Sequence, residues 1–242
     1  MKKKFWKTVF LAAALLLSPP PLFSKGAKAP QDILKGRIIC IDPGHGLTKK
    51  KYNEKIAPTS TKTKPAFVSG TRGAKYTEEQ LVLIVGKKLQ TRLQELGATV
   101  LMTRETHEAE RSNIERAVLA NEAGADMAVR LHADAGPTKA VSGMHMLVPS
   151  SEYVKTPGVV AESKKLAQLV LKNCVAETGA KNRGVMERSD MTGLNWSTVP
   201  VILLEMGFMT NAQEDALLST DAYQEKIVNG IVRGILEYYG VK

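Results

Sequence analysis

The 242-residue sequence lacks several signatures that would assign a function by themselves. It contains neither a G-x-x-x-x-G-K-[ST] phosphate loop nor a G-x-G-x-x-G segment, so nothing in it indicates a nucleotide enzyme. Its two cysteines, Cys40 and Cys174, are far apart and lack the Cys and His spacing of a zinc knuckle. Both lie in apolar or amphipathic segments, so we expect buried free thiols, although an exported protein could pair them. No internal repeat and no shift in composition marks a second domain.

The apolar run near the N-terminus is too short to cross a membrane. It covers residues 9–17 and follows a head with four lysines, whereas a spanning helix needs roughly 20 apolar residues. A basic head followed by a short apolar core is typical of a secretory signal. We therefore predict a signal peptide over residues 1–24 and a linker over residues 25–36. The cleavage site stays open, and the alternatives are an uncleaved anchor or a short buried helix.

Positive charge exceeds negative charge, and the formal net charge is +10. It remains positive without the lysines of the N-terminal head, so the protein is expected to be attracted to polyanions. For an exported protein, the anionic polymers of a cell envelope are better candidates than nucleic acid. An equally simple interpretation is that the surplus lysine keeps the protein soluble. The hydrophobic fraction of 43% is sufficient for one sizeable core.

Segments with the pattern of strands alternate with segments with the pattern of helices. The predicted strands cover residues 37–41, 98–103, 127–131, 143–148 and 199–205, and the predicted helices cover residues 77–96, 110–123, 161–178 and 221–239. This alternation predicts an α/β fold. We expect a single domain over residues 37–242, with a mostly parallel central sheet of about six strands and helices on both faces. Residues 49–75 lie between the first predicted strand and the first predicted helix. They are polar and rich in lysine, which predicts a long surface loop.

Three of the predicted strands run directly into side chains that bind metals: His45, His132 and Glu205. Ligands of such sheets bind beyond the carboxyl ends of the strands, where these side chains would meet. Zinc in hydrolases takes three protein ligands and a water, and Glu78, at the start of a predicted helix, is the candidate third ligand. Glu205 would then be the general base that takes the proton of the zinc-bound water.

Spacing alone leaves other interpretations of these residues open. A histidine at the end of a strand is more often structural than a metal ligand. A glutamate in the first turn of a helix, such as Glu78 or Glu79, stabilises the helix dipole without any further role. His107 lies in a polar segment and is expected to be solvated. The alternation of the strand does not determine which way His145 points.

A series of short motifs extends from residue 37 to the C-terminus. They comprise residues 39–46, 78–83, 96–98, 100–104, 116, 120–126, 131–135, 143, 182–185, 199–200 and 204–211. Together they resemble the type 3 class of zinc-dependent N-acetylmuramoyl-L-alanine amidases. Each motif is modest evidence, but the complete set in this order is specific. The resemblance implies hydrolysis of the amide bond between N-acetylmuramic acid and L-alanine in peptidoglycan.

Carried over to this sequence, the resemblance makes His45, Glu78 and His132 the Zn²⁺ ligands and Glu205 the catalytic general base and acid. Glu78 is preferred to Glu79 because it fits the E-x-x-x-x-L pattern of the family. The resemblance also implies that the partners are the glycan strand and the stem peptide, not nucleic acid. We expect a monomer without a membrane span after processing. It would be exported to the periplasm, the cell wall or the extracellular space.

The sequence departs from the family pattern beside the second histidine. The family usually has a small polar residue two positions before it and asparagine two positions after it, whereas this chain has Arg130 and Asp134. If Arg130 points into the cleft, it would bind a carboxylate of the stem peptide; otherwise it has a surface or packing role. The loop over residues 47–76 is longer and richer in lysine than usual. The alternatives for this loop are contact with anionic glycan, a lid over the cleft and a solvated insertion.

Two other functions remain as alternatives. A zinc carboxypeptidase-like peptidase would use similar ligands, but it usually has His-x-x-Glu at the first histidine, where this chain has Leu47 and Thr48. A non-catalytic module that binds the cell envelope would have a decayed site, whereas all four proposed catalytic positions are intact. Neither an inserted helix that would plug the cleft nor a wall-binding repeat is visible.

Overall fold

The structure is a computed structural model that describes residues 32–108 and 111–241. The predicted signal peptide and the first part of the predicted linker lie outside these residues. The remaining residues of that linker, 32–36, form turns, and Leu34 is buried in the core. The amide of Leu34 donates to the carbonyl of Leu96 at 2.8 Å. These last residues are therefore part of the packed domain rather than a linker, because Leu34 supplies an apolar side chain to it.

The described residues form one layered α/β domain with a central six-stranded sheet, a two-stranded hairpin and six helices. The elements are β1 (Ile38–Pro43), β2 (Asn53–Lys55), β3 (Thr63–Pro65), α1 (Glu78–Glu95), β4 (Thr99–Met102), α2 (Asn113–Glu122), β5 (Met127–Asp134), β6 (Met144–Pro149), α3 (Val159–Thr178), β7 (Asn182–Arg188), α4 (Thr192–Asn195), β8 (Val201–Phe208), α5 (Ala212–Leu218) and α6 (Asp221–Tyr238). The central sheet has the order β4-β1-β5-β8-β6-β7. All its pairs are parallel except β6 with β8. The predicted fold class is confirmed.

The two faces of the sheet are covered by different helices. Alternation along β1 sends Ile39 and Ile41 into the larger apolar cluster and Cys40 into the smaller one. Helices α1, α3 and α6 pack on the larger cluster, whereas α2 and α4 pack beside the smaller one. Cys40 and Cys174 are buried free thiols in separate elements, as expected. None of the helices in the described part of the chain is long and apolar enough to cross a bilayer.

Several elements were not predicted, because they lack the periodic apolar pattern of the others. Strand β7 is largely exposed, and β2 and β3 have three residues each. Helix α4 has four residues and α5 has seven. Helix α2 begins at Asn113 rather than at residue 110, because Ser112 is its N-cap. The Ser112 hydroxyl accepts from the Glu115 amide at 3.3 Å, and the Glu115 carboxylate accepts from the Ser112 amide at 2.6 Å.

Helix α6 approaches α3 closely at two glycines. A Cβ atom at Gly230 would overlap the backbone of Cys174, and one at Gly234 would lie 2.5 Å from the Cα atom of Val170. Both glycines are buried in the middle of α6. Glycine in a helix interior is destabilising by itself, so its presence here is explained by the short distance between the two backbones.

We expect Gly234→Ala to lower the free energy of unfolding by about 1–3 kcal/mol, because the added methyl group overpacks against the backbone of α3. This loss opposes the better helix propensity of alanine, which is worth about 1 kcal/mol. Urea unfolding followed by circular dichroism measures it. Lys226→Ala, at an exposed position of α6, is the matched control. A Gly234→Ala protein as stable as the wild type would contradict this account of the helix contact.

Candidate metal centre

The turn after β1 presents His45, whose φ angle of 56° lies in the left-handed region. Two arginines hold this turn through its carbonyl oxygens. Arg104 donates to Pro43 at 2.9 Å and to Gly44 at 2.8 Å. Arg116 donates to Pro43 at 2.8 Å and to His45 at 2.6 Å. These bonds satisfy buried carbonyl oxygens of an irregular turn, which would otherwise cost free energy.

Asp42 balances the charge of the arginines beneath this turn. Its carboxylate accepts from Arg116 at 2.7 Å and from the Thr103 hydroxyl at 2.5 Å, and it lies 2.9 Å from Nε of Arg130. Burial alone would raise the pKa of Asp42, but Arg130, Arg116 and the hydroxyl hold that pKa well below its usual range. Asp42 is therefore a buried anion that fixes the end of β1.

Glu78, the first residue of α1, lies between the two histidines. Its Oε1 atom is 3.1 Å from Nε2 of His45 and 3.0 Å from Nδ1 of His132. Backbone amides hold the same carboxylate, with Ala133 donating to Oε1 at 3.1 Å and Thr71 to Oε2 at 2.9 Å. The structure thus brings together all three predicted ligands, which come from the turn after β1, from α1 and from β5.

The chemistry of these three side chains fits a divalent cation. Burial lowers the pKa of His132, which favours the neutral ring, and its Nε2 atom has no hydrogen-bond partner among the described residues. Burial raises the pKa of Glu78, but hydrogen bonds with His132 and His45 hold it well below its usual range. Neutral imidazoles and an ionised carboxylate are the donor set of many zinc hydrolases. Tetrahedral bonds of about 2.0–2.2 Å place ligand atoms roughly 3.4 Å apart, near the distances observed.

Glycine backbone packs against the ligands from two sides. A side chain at Gly44 would overlap the ring of His132, and a Cβ atom at Gly70 would lie 2.6 Å from Oε2 of Glu78. On the same side, the carbonyl of Val68 bonds to Nδ1 of His45 at 2.8 Å. That contact leaves Nε2 of His45 directed at Glu78 and fixes the ring orientation, as outer-sphere partners of metal ligands do.

Glu79, the alternative ligand, points elsewhere. Its carboxylate accepts from the Thr77 hydroxyl at 2.8 Å and lies 2.9 Å from Nδ1 of His107. His107 was expected to be solvated, and its side chain is half-exposed. Glu78 rather than Glu79 therefore lies between the two imidazoles, as the E-x-x-x-x-L pattern indicated.

Glu205, the predicted catalytic carboxylate, lies on β8 beside these ligands. In the sheet it is the partner of His132 on β5 and of His145 on β6. It is buried, and its Oε2 atom has no hydrogen-bond partner in the described part of the chain. Burial, together with the charges of Glu78 and Asp134, raises the pKa of Glu205 well above its usual value. A carboxyl group with a raised pKa is better suited to general acid–base catalysis than an ordinary glutamate.

A cavity of about 220 Å³ opens beside His45 and His132. The loop over residues 47–76 forms one wall through Lys64 and Phe67. This loop contains the β2–β3 hairpin, and it is anchored at α4, where the Asn195 amide donates to the carbonyl of Ile56 at 2.9 Å. The loop is therefore packed against the cleft at its hairpin, although most of its residues are exposed.

Arg130 lines the same cavity but is already engaged. Its guanidinium forms the ion pair with Asp42 and donates to Asn113 at 3.1 Å. Gly193 lies directly against it, since a Cβ atom there would overlap the guanidinium. Arg130 thus combines the two roles that the sequence left open, because it faces the cleft and also packs within the structure. The positions of Lys64 and Arg111 in the wall of this cavity were not predicted, because their segments carry no motif.

Comparison with known proteins gives consistent relatives. Residues 39–237 match the family model described as N-acetylmuramoyl-L-alanine amidase. An N-acetylmuramoyl-L-alanine amidase of Mycobacterium tuberculosis is 29% identical over 231 residues, which cover 93% of this chain and 95% of that protein. The germination-specific N-acetylmuramoyl-L-alanine amidase of Bacillus subtilis is 30% identical over 225 residues, which cover 86% and 82%. The crystal structure of the amidase Ami1 from Mycobacterium smegmatis superposes with a TM-score of 0.78 at 27% identity, over 86% of this chain and 98% of that one.

We expect Asp42→Asn to lower the free energy of unfolding at pH 7 by about 3–5 kcal/mol, because it leaves two buried guanidinium groups without their anion. The folded-state pKa of Asp42 is depressed. Its contribution is therefore complete above the unfolded pKa of about 3.9 and is lost as the pH falls below that value. Urea titrations between pH 7 and pH 3 should show a shallower loss of stability for the variant. Glu95→Gln, in an exposed ion pair with Arg92, should change little. Equal acid sensitivity of Asp42→Asn and the wild type would contradict this role.

Proposed function

Since this chain belongs to the N-acetylmuramoyl-L-alanine amidase family, we propose that it acts through one zinc ion held by His45, Glu78 and His132. The chain is a hydrolase of peptidoglycan, and it cleaves the amide bond between N-acetylmuramic acid and L-alanine. The proposal rests on one carboxylate oxygen of Glu78 that lies within 3.1 Å of a ring nitrogen of both histidines. When bound there, the ion would polarise the scissile carbonyl and lower the pKa of the attacking water.

In this proposal, Glu205 moves the proton. Its raised pKa, caused by burial and by neighbouring carboxylates, brings the group toward the pH at which general bases work best. Glu205 accepts the proton of the attacking water and then gives it to the leaving nitrogen of L-alanine. The family match favours this chemistry over that of a carboxypeptidase-like peptidase. The intact set of proposed catalytic side chains also speaks against a non-catalytic binding module.

The cavity beside the metal centre is proposed to hold the stem peptide. Asp42 already balances part of the charge of Arg130. Lys64 instead donates to the carbonyl of Asp190 at 2.9 Å, and Arg111 donates to the carbonyl of Thr103 at 2.9 Å. Neither of these two cations forms a salt bridge with an acidic side chain of the described residues. A cavity with surplus positive charge attracts the carboxylates of a stem peptide, and Arg130 adds donors in its wall.

We also propose that the chain is exported and works where peptidoglycan lies, in the periplasm or the cell wall. The predicted signal peptide and the net charge of +10 support this location. All four proposed catalytic side chains come from one chain and converge at one edge of the sheet, so a monomer is sufficient for activity. Neither nucleic acid nor a membrane is required as a partner.

Digestion of purified peptidoglycan tests the proposed chemistry. The wild type should release stem peptides with a free N-terminal L-alanine, and a chelator should stop this release. Glu205→Gln should lower kcat about 100-fold or more, the usual contribution of a general base, while the protein keeps its zinc. His132→Ala should lose the zinc itself.

Glu79→Gln is the matched control for the metal ligands, because Glu79 adjoins Glu78 but points at His107. It should keep the metal and most of the activity. Retention of zinc by Glu78→Gln together with its loss in Glu79→Gln would reverse the ligand assignment. Release of new reducing sugar ends instead of L-alanine ends would identify a glycosidase and refute the proposal.

The proposed substrate pocket predicts that substitutions in its wall change KM but not kcat. Lys64→Gln and Arg111→Gln should each raise KM several-fold for stem peptides with free carboxylates and leave kcat nearly unchanged, because they remove attraction rather than chemistry. The same variants should lose little toward substrates whose carboxyl groups are amidated. Lys226→Gln, on the exposed side of α6, controls for the loss of one positive charge. Equal effects on both substrates would contradict the pocket.

A further inference from the structure

Asp134, His145 and Glu205 form a second group of side chains with the chemistry of metal ligands. One potential ligand atom from each residue lies within 4.8 Å of the other two. We propose that this group, the Asp134–His145–Glu205 cluster, binds a second zinc ion and that this ion inhibits the enzyme by occupying Glu205. The inhibition rests on the proposed role of Glu205 as the general base, whereas the binding site itself rests on the cluster alone.

The backbone fixes the cluster at the junction of three strands. His145 on β6 is the direct partner of Glu205 on β8. Asp134 ends β5, after an irregularity in the β5–β8 register that follows His132. Such irregularities redirect side chains near active sites. Nε2 of His145 lies 3.6 Å from Oδ2 of Asp134, close to the roughly 3.4 Å between two ligands of a tetrahedral zinc ion.

Two buried atoms of the cluster lack partners within the described residues. They are Oε2 of Glu205 and Nδ1 of His145, whose residues are 9% and 5% exposed. A buried polar atom without a partner costs about 1–3 kcal/mol. A cation held between Nε2 of His145, Asp134 and Glu205 would satisfy Oε2 of Glu205 but not Nδ1, which lies on the other side of the imidazole ring. It would also reduce the repulsion between Glu205 and Asp134.

Two arginines, Arg183 and Arg188, act on the cluster through their charges, but neither forms a salt bridge with it among the described residues. Arg188 acts on Glu205 electrostatically, but its guanidinium makes two hydrogen bonds to Asp190, at 2.8 Å and 2.7 Å. The ring of His145 is stacked on Phe208 with the ring centroids 5.8 Å apart, which restricts its orientation. The cluster is therefore pre-arranged, and neither of its carboxylates is paired with a lysine or arginine in the described part of the chain.

The cluster should bind zinc more weakly than the first site. It has a single imidazole, and the side chain of Asp134 is 38% exposed, whereas the first site has two imidazoles and a carboxylate held by two backbone amides. Zinc at low concentration would then fill only the site made by His45, Glu78 and His132. At higher concentration the second ion would bind Glu205, and a coordinated carboxylate cannot accept the proton of the attacking water.

Zinc titration of the metal-free protein tests this inference, with calorimetry for binding and peptidoglycan digestion for activity. The wild type should bind two zinc ions per chain. Its activity should rise with the first ion and fall about 100-fold or more as the second one binds, since the general base is lost. His145→Gln should bind one zinc ion and keep its full activity in excess zinc. Asp134→Asn should weaken the second binding step by about 10-fold or more, which provides an independent check if His145→Gln does not fold.

Two further variants separate the inference from the proposed function. His107→Gln removes a histidine outside the cluster and should still bind two ions. His132→Ala should lose the tight site but keep the weak one, so a failure of the first site would not conceal the second. The inference is overturned by a wild type that binds a single zinc ion and keeps its activity in excess zinc, or by His145→Gln that still binds two. A folded His145→Gln that is inactive with one zinc ion would also overturn it, because His145 would then belong to the catalytic chemistry.

Discussion

The buried carboxylate of Asp42 is the contact on which the rest of the site depends. It holds Arg116 and Arg130 in the interior, and Arg116 in turn bonds to the carbonyl oxygens of the turn that carries His45. Neither guanidinium would be stable there without an anion. The position of the first proposed ligand is thus determined by an ion network below the sheet edge, several bonds away from the ligand itself.

Glu78 and Glu205 differ in their tendency to hold a proton because their surroundings differ. Glu78 accepts from backbone amides and lies beside two imidazoles, which favours its ionised form. Glu205 is buried with an unpartnered oxygen and faces other carboxylates, which favours its protonated form. Two glutamates a short distance apart are thereby suited to different tasks, one to hold a cation and the other to exchange a proton.

The sequence predicted the parts of the molecule that have a periodic or spaced pattern. The apolar runs gave the main parallel strands, and the ends of those strands, with the family resemblance, gave His45, His132 and Glu205. The contacts that complete the site had no such pattern. Strand β7 has mostly exposed residues, and the role of Asp42 becomes visible only when Arg116 and Arg130 fold onto it. Likewise, the orientation of His145 depends on the antiparallel pairing of β6 with β8, which alternation cannot determine.

The loop over residues 47–76 contacts both the cleft and the proposed metal ligands. Its hairpin side faces the cleft through Lys64 and Phe67, while its last residues touch the ligands through the Val68 carbonyl and the backbone at Gly70. A change in the backbone position of Val68 would be transmitted to the imidazole of His45 through one hydrogen bond. Sequence variation that adapts this enzyme to different cell walls should therefore concentrate at the hairpin and spare residues 68–71.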